Sequence, residues 1–453
     1  MPKRYHITTY GCQMNKHDSE RIAGLLETLG FEPAENESKA DIIVVNTCSV
    51  RQSAEERIFG SQEKYFEYKK NNPDLIVAVT GCLPGRDKEG VIHKRLASVD
   101  LYFPIADLVK LPEWIAALRP GWIGGDGMGA RHAAPLLEDY LSIQPLRPSS
   151  SSAFVTIQTG CDKYCSYCVV PFARGPVRNR MATDILRECR ELAESGTREI
   201  TLLGQAVNAY SAPDVSAFST ANPFKDPFAA LLWEINQIDG LKRLYWTSVH
   251  PIAMTDEVIE ALKLPKQVNF LHVPVQSGND EVLRRMNRKY TREQYLEIIR
   301  KIKEARPNIA LGTDIIVGFP GETAEQFEDT LSLYREVGFD ISYNAKYSPR
   351  TKTLAYKLYS DDISSDEKRS RWESLHALME QTVLERNQVY KDREVSVLVE
   401  RADGKTASGN SSEMKLVEFP TQDVSLVGKI VPVRIVEAKA WLLKGETVKP
   451  YAS

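Results

Sequence analysis

Several common features are missing from this chain of 453 residues, and each absence narrows what the protein does. No stretch approaches the roughly 18 unbroken apolar residues of a membrane-spanning helix. The first residues, MPKRYHITTYGC, carry no apolar core of the kind a secretory signal needs, so a cytoplasmic protein with no membrane partner is expected. Excess positive charge is absent as well: 58 Lys and Arg stand against 61 Asp and Glu, a net charge of −3. Any nucleic-acid contact must therefore come from local basic runs. Histidines number 7, with no HxxxH pattern for zinc, and cysteines also number 7. In a reducing compartment that cysteine count argues against a disulfide framework and for metal or catalysis.

What is present is an alternation of strand and helix signals. In the first part, YHITTYGC, ADIIVVNTC and DLIVAVTGC read as buried strands, and DSERIAGLLETLGF as an amphipathic helix closed by Gly30. Such alternation predicts an α/β fold with a parallel, flavodoxin-like sheet. Each of these strands ends on a cysteine: Cys12, Cys48 and Cys82. The carboxyl ends of the strands line the ligand crevice in a doubly wound sheet, so the three thiols are expected at one edge. Ordinary burial is the competing explanation for any one cysteine, but three at the same strand-end position favour a site.

Residues 123–152 have the Gly, Pro and Ser content of a linker, and their GGDGMG lacks the strand and the Lys-Ser/Thr of a phosphate loop. From residue 153 the alternation restarts with AFVTIQTGC, REITLLGQ, KRLYWTSVH, NFLHVPVQSG, IALGTDIIVGF and ISYNAKYSP as strands. Helical patterns near 183–195, 227–238, 255–263, 280–304 and 323–337 separate them, which predicts a full or partial (β/α) barrel over 153–385 with its chemistry at the strand ends. A long helical stretch then leads to short strands in 386–450, read as a small β-barrel after the first domain (1–122), the linker and the central barrel.

The segment GCDKYCSYC places Cys161, Cys165 and Cys168 directly after the first strand of the central barrel, and no fourth cysteine completes the motif. Structural zinc takes four ligands, and the bacterial ferredoxin run ends in a further Cys-Pro; neither occurs here. A [4Fe–4S] cluster on three thiolates leaves one iron open to a small molecule. This CxxxCxxC arrangement resembles the radical S-adenosylmethionine superfamily, in which the cosubstrate's amino and carboxylate groups take that iron. The resemblance implies that Tyr167 lies near the adenine. Gly204, Gln205 and Asn208 follow the second predicted strand, while Gln276 and Ser277 in PVQSG and Gly318 in TDIIVGFPGE also close strands. Glycine there admits close backbone approach and the amides supply hydrogen bonds to a cosubstrate, with turn formation as the competing reading.

The segments TYGCQMNKHDSE, NTCSVRQSAEERIFG and VTGC, ahead of GCDKYCSYCVVPFARG, resemble the methylthiotransferases of that superfamily. The match runs through VPVQSGNDEVLRRMNRKYTREQY and TDIIVGFPGETAEQFEDTL to a C-terminal barrel similar to their TRAM RNA-binding domain. The resemblance implies two [4Fe–4S] clusters, one on Cys12, Cys48 and Cys82 and one on Cys161, Cys165 and Cys168. It also implies S-adenosylmethionine as both methyl donor and radical source. GCQMN and NTCSVR are the forms of members that methylthiolate C2 of N6-isopentenyladenosine-37, so the implied partners are a tRNA anticodon stem-loop, an electron donor such as a flavodoxin, and a sulfur carrier. The protein is expected to act as a monomer. RGPVRNR is closer to the branch that methylthiolates an aspartate of ribosomal protein S12, which makes that reaction the alternative. A zinc-stabilised RNA-binding protein without catalysis is the reading from a different class.

Arg174, Arg178 and Arg180, just beyond the cysteine motif, are the expected tRNA phosphate contacts, and RRMNRKYTR adds Arg284, Arg285, Arg288, Lys289 and Arg292 as a second basic run. Cys189 shares a helical face with Ile185, Leu186, Leu192 and Ala193 and reads as a core residue. His250 and His272, near strand ends, are assigned no catalytic role.

Overall fold

A computed structural model describes residues 2–49, 52–123, 139–149 and 151–448. GGDGMG lies outside the described residues. The chain forms two compact units: Met1–Pro148 with Thr159–Tyr164 and Cys168–Arg178, and Ser149–Gln158 with Cys165–Tyr167 and Asn179–Ser453.

In the first unit, five strands form one parallel sheet: β1 (Arg4–Tyr10), β2 (Glu32–Pro33), β3 (Ile42–Thr47), β4 (Ile76–Gly81) and β5 (Leu101–Tyr102). Their spatial order is β2-β1-β3-β4-β5, the flavodoxin-like order. β3 and β4 are buried at every residue, as expected for central parallel strands covered on both faces. Their alternate residues serve separate cores. Ile42, Val44, Ile76 and Ala78 pack with Ile22, Leu25 and Leu26 of helix α1 (Gln13–Thr28). Ile43, Val45, Val77 and Val79 pack with Ile58 and Tyr65 from the opposite layer. The sequence pattern misses β2 and β5, which have two residues each and no period to read.

In the second unit, six parallel strands follow one another in chain order. Ser152–Thr156, Glu199–Leu203 and Arg243–Trp246 pair as one set, and Phe270–His272, Ala310–Val317 and Ile341–Lys346 as another. A parallel bridge joins Leu244 of the third strand to Gln267, just ahead of the fourth, giving a partial (β/α)6 barrel. All six expected strands are present. The fourth is shorter than its apolar run because Pro274 has no N–H to continue the ladder. The pattern over 280–304 breaks into helices Asp280–Arg285 and Arg292–Ala305. Asn287 takes the left-handed region at φ 57°, and Thr291 opens the second helix with a capping box to Gln294. Cys189 is fully buried with Ile185, Leu186, Leu192 and Ala193.

A 24-residue helix, Ser365–Gln388, leads to a closed five-stranded barrel. Its strands Glu394–Ala402, Ile430–Ala438 and Leu443–Thr447 enclose Val397, Val399, Val433 and Leu443, together with Val417 and Phe419 of Leu416–Pro420. The fifth strand, Thr406–Ser411, escaped the sequence reading because TASGNS has little β-propensity. Gly409 is required there: a Cβ would come within 1.9 Å of the Leu398 carbonyl oxygen.

Candidate active site

Strand register brings the first cysteine set together. Tyr10 lies beside Thr47, and Thr47 beside Gly81, at the carboxyl edge of the sheet. Cys48 and Cys82 directly follow the ends of β3 and β4, and Cys12 follows one glycine after β1. Cys12 is the N-cap of α1, where its backbone N–H donates to the Asn15 side chain at 3.3 Å. The Asn15 amide donates to Asn46 Oδ1 at 3.0 Å, and the Asn46 amide returns a bond to the Asn15 carbonyl at 2.8 Å, so buried amides hold the strand ends and α1 in register. A hydrogen bond from the Cys48 thiol lowers the Cys82 pKa to about 6 against the opposing effect of burial, and Arg174 adds to the lowering.

Arg174 is the residue this site owes to the far end of its unit. It closes the short helix Val170–Arg174, which packs on the helix Cys82–Arg86. The approach is close: a Cβ on Gly85 would lie 2.0 Å from the Ala173 carbonyl oxygen. The Arg174 side chain is 1% exposed and bonds Asp18 (2% exposed) at 2.6 Å. Its Nη1 is buried without a hydrogen-bond partner, while its charge acts on Cys82 and Cys12. Expected at the RNA, Arg174 is instead withdrawn from solvent, because Asp18 in this cysteine pocket offers it a buried counter-charge.

The motif loop begins at Gly160, whose φ of 74° and packing on Pro176 leave no room for a side chain, with a Cβ placed 2.0 Å from the Pro176 carbonyl oxygen. Cys161 N–H donates to the Gly175 carbonyl at 3.2 Å, and Cys168 leads into the Val170–Arg174 helix. In the second unit, Arg288 Nη1 donates to Cys165 Sγ at 3.3 Å. The same buried guanidinium bonds Tyr290 Oη at 2.9 Å and the Pro274 carbonyl at 3.1 Å. Tyr167 packs on Val282, Met286, Phe319, Tyr347 and Ala355.

The strand-end residues of the second unit divide by what they already bind. Asn208 is clasped to the His250 backbone, donating to its carbonyl at 3.0 Å and accepting from its N–H at 2.8 Å. Gln276 is buried at φ 73°, a left-handed conformation rare outside glycine, and its backbone bridges to Ile315. Ser277 Oγ meets Thr330 Oγ1 at 3.3 Å, and Gly318 N–H donates to Glu322 at 2.7 Å. Glu322 also takes Arg371 Nη1 at 2.8 Å, a buried pair that the sequence reading did not single out. Gly204 is buried and Gln205 half-buried at the end of the second barrel strand.

Of the other arginines, Arg178 is 57% exposed and pairs with Asp139 at 2.6 Å, whereas Arg180 is 15% exposed and is held by Glu188 and the Thr156 carbonyl. In the second basic run, Arg284 and Lys289 reach solvent, while Arg285 is tied to the Pro320 carbonyl at 2.6 Å and Arg288 is buried.

The donor chemistry fits iron–sulfur clusters. The first set is sulfur only, with a buried cation beside it, and Cys165 of the second accepts a guanidinium N–H. No group of three His, Cys, Asp or Glu among the described residues gathers on a single-ion site. A four-iron cluster differs in taking each thiolate on its own iron.

The Radical SAM superfamily model matches residues 155–334, and the model described as Uncharacterized protein family UPF0004 matches residues 4–104. Among solved structures, the radical S-adenosylmethionine methyltransferase TsrM from Kitasatospora setae, with cobalamin and a [4Fe-4S] cluster bound, shares the fold. Its TM-score is 0.54 at 16% identity, over 79% of this chain and 77% of that one. The chain is a radical S-adenosylmethionine enzyme. Two relatives are each named tRNA-2-methylthio-N(6)-dimethylallyladenosine synthase. That of Bacillus cereus (strain AH187) is 40% identical over 99% of this chain and 86% of its own length. That of Anoxybacillus flavithermus (strain DSM 21510 / WK1) is 41% identical over 99% and 83%. The chain belongs to the tRNA-2-methylthio-N6-dimethylallyladenosine synthase family.

Proposed function

We propose that this enzyme installs a methylthio group at C2 of N6-isopentenyladenosine-37 in tRNA, with two [4Fe–4S] clusters and S-adenosylmethionine as both methyl donor and radical source. The convergence of three strand-end cysteines at one edge of a 2-1-3-4-5 sheet, in a chain that also carries CxxxCxxC, supports the reading best. Cys12, Cys48 and Cys82 hold the first cluster in this reading, and Cys161, Cys165 and Cys168 the second. When bound, the second cluster and its cosubstrate supply the carbon radical that an aromatic C–H without useful acidity requires. The protein's share is binding and orientation. Tyr167, Gly204, Gln205, Asn208, Gln276, Ser277 and Gly318 border the cosubstrate, with Asn208 and Gln276 acting through loops whose backbones are already fixed.

Arg178, the most exposed of the first three arginines, meets the anticodon stem-loop backbone, with the C-terminal barrel as a second RNA surface. Adenosine-37 is unpaired and open to such a site. No helix among the described residues is long and apolar enough to cross a membrane, and we place the enzyme in the cytoplasm, working as a monomer with an electron donor such as a flavodoxin and a sulfur carrier. The test joins two measurements. Anaerobically purified protein is expected to hold about eight irons, the sum of two four-iron clusters. tRNA from cells lacking the gene is expected to lose the methylthio group at adenosine-37. Unchanged tRNA with a loss of modified aspartate in ribosomal protein S12 would reassign the substrate, and colourless protein with stoichiometric zinc would reject the enzyme reading.

A further inference from the structure

We infer that the buried Arg174–Asp18 pair is a charge-setting device for the Cys12, Cys48 and Cys82 site, fixing a cation beside the thiolates and thereby holding the potential of the cluster proposed there. The inference rests on that cluster reading. Its geometry lies wholly within the first unit. Arg174 and Asp18 meet at 2.6 Å with side chains 1% and 2% exposed. Removing two charges from water costs more than their attraction dependably returns, so a pair sealed this completely calls for a role beyond stability. The partners each atom keeps point to that role. Arg174 Nη2 is taken by Asp18, yet Nη1 is buried with no hydrogen-bond partner. The nearby Tyr140 hydroxyl is engaged with Thr159 at 3.2 Å. What remains for the guanidinium is sulfur: its charge acts on both Cys82 and Cys12.

A cluster on three thiolates is anionic and gains a further negative charge on reduction, so its potential follows net charge and hydrogen bonding at the sulfurs. Arginine suits the task because it does not lose its proton, even when buried. Asp18, on the helix that Cys12 caps, orients it and tempers its charge. The two residues therefore act with opposite sign. Arg174 favours the reduced cluster and Asp18 opposes it.

The test uses the full chain carrying Cys161→Ala, Cys165→Ala and Cys168→Ala, which leaves iron only the first cysteine set, and follows reduction by EPR in a potentiometric titration. Arg174→Gln is expected to lower the midpoint by at least a tenfold change in the reduction equilibrium, about 59 mV for one electron. Asp18→Asn is expected to raise it, and Arg174→Lys to leave it near the parent value. Should Arg174→Gln not fold, the rise in Asp18→Asn and the constancy in Arg174→Lys decide the matter. Unmoved midpoints in iron-loaded variants would overturn the inference alone, as would a shift of the same sign in Arg174→Gln and Asp18→Asn, the signature of loosened packing. A parent that binds no iron would overturn the cluster reading and this inference with it.

Discussion

Arg174 in the first unit and Arg288 in the second are both buried beside a cysteine, yet their partners differ in kind. Arg174 meets a carboxylate sealed from water, so its burial is an exchange of charge for charge. Arg288 meets a phenol, a carbonyl and a cysteine sulfur, with no carboxylate among these partners, and its hydrogen bonds are spread over three groups. The contrast teaches how a buried cation is maintained. A single counter-ion makes the site dependent on both members, whereas several weak acceptors share the load. It also predicts how each site fails when the cation is lost.

The largest effect is expected at the ionic site. Arg174→Ala strands Asp18 without a counter-charge and should cost the folded chain about 3–5 kcal/mol, visible as an early urea-unfolding transition. Adding Asp18→Ala should recover part of the loss; no recovery in the double variant would show that the pair is not the source. Arg288→Met is expected to cost less, about 1–3 kcal/mol, because the Pro274 carbonyl keeps a bond from Tyr290. A cost equal to that of Arg174→Ala would erase the distinction. Gly85→Ala sharpens the same comparison from the packing side. The Ala173 carbonyl blocks a methyl group there, and overpacking of about 1–3 kcal/mol should accompany reduced iron at the first cysteine set. Arg178→Ala should leave the unfolding midpoint in place, since exposed ion pairs contribute at most about 1 kcal/mol, and should reduce the salt slope of RNA binding by about 1. Arg284→Ala is the smallest case: its pairing with Glu281 is local and exposed, so stability should change by less than about 0.5 kcal/mol.

Much of the fold is legible in the sequence. All six barrel strands, the long helix before the last barrel and the first sheet's three main strands announce themselves through apolar runs and periodicity, which are local properties. The cysteine motifs are local too, and resemblance extended them to a family and a chemistry. What escaped were elements without a period of their own: the two-residue edge strands, the Thr406–Ser411 strand, and the break at Asn287 that divides one expected helix into two.

By itself the sequence determined the α/β alternation, the strand-end placement of Cys12, Cys48 and Cys82, and the CxxxCxxC loop, because each follows from neighbours a few residues apart. Tertiary structure alone decided which arginines stay in water. Arg174 and Asp18 stand 156 residues apart in the chain, and Arg288 and Cys165 stand 123 apart. Whether a charge is buried depends on the partner that folding brings to it, and no local pattern carries that information.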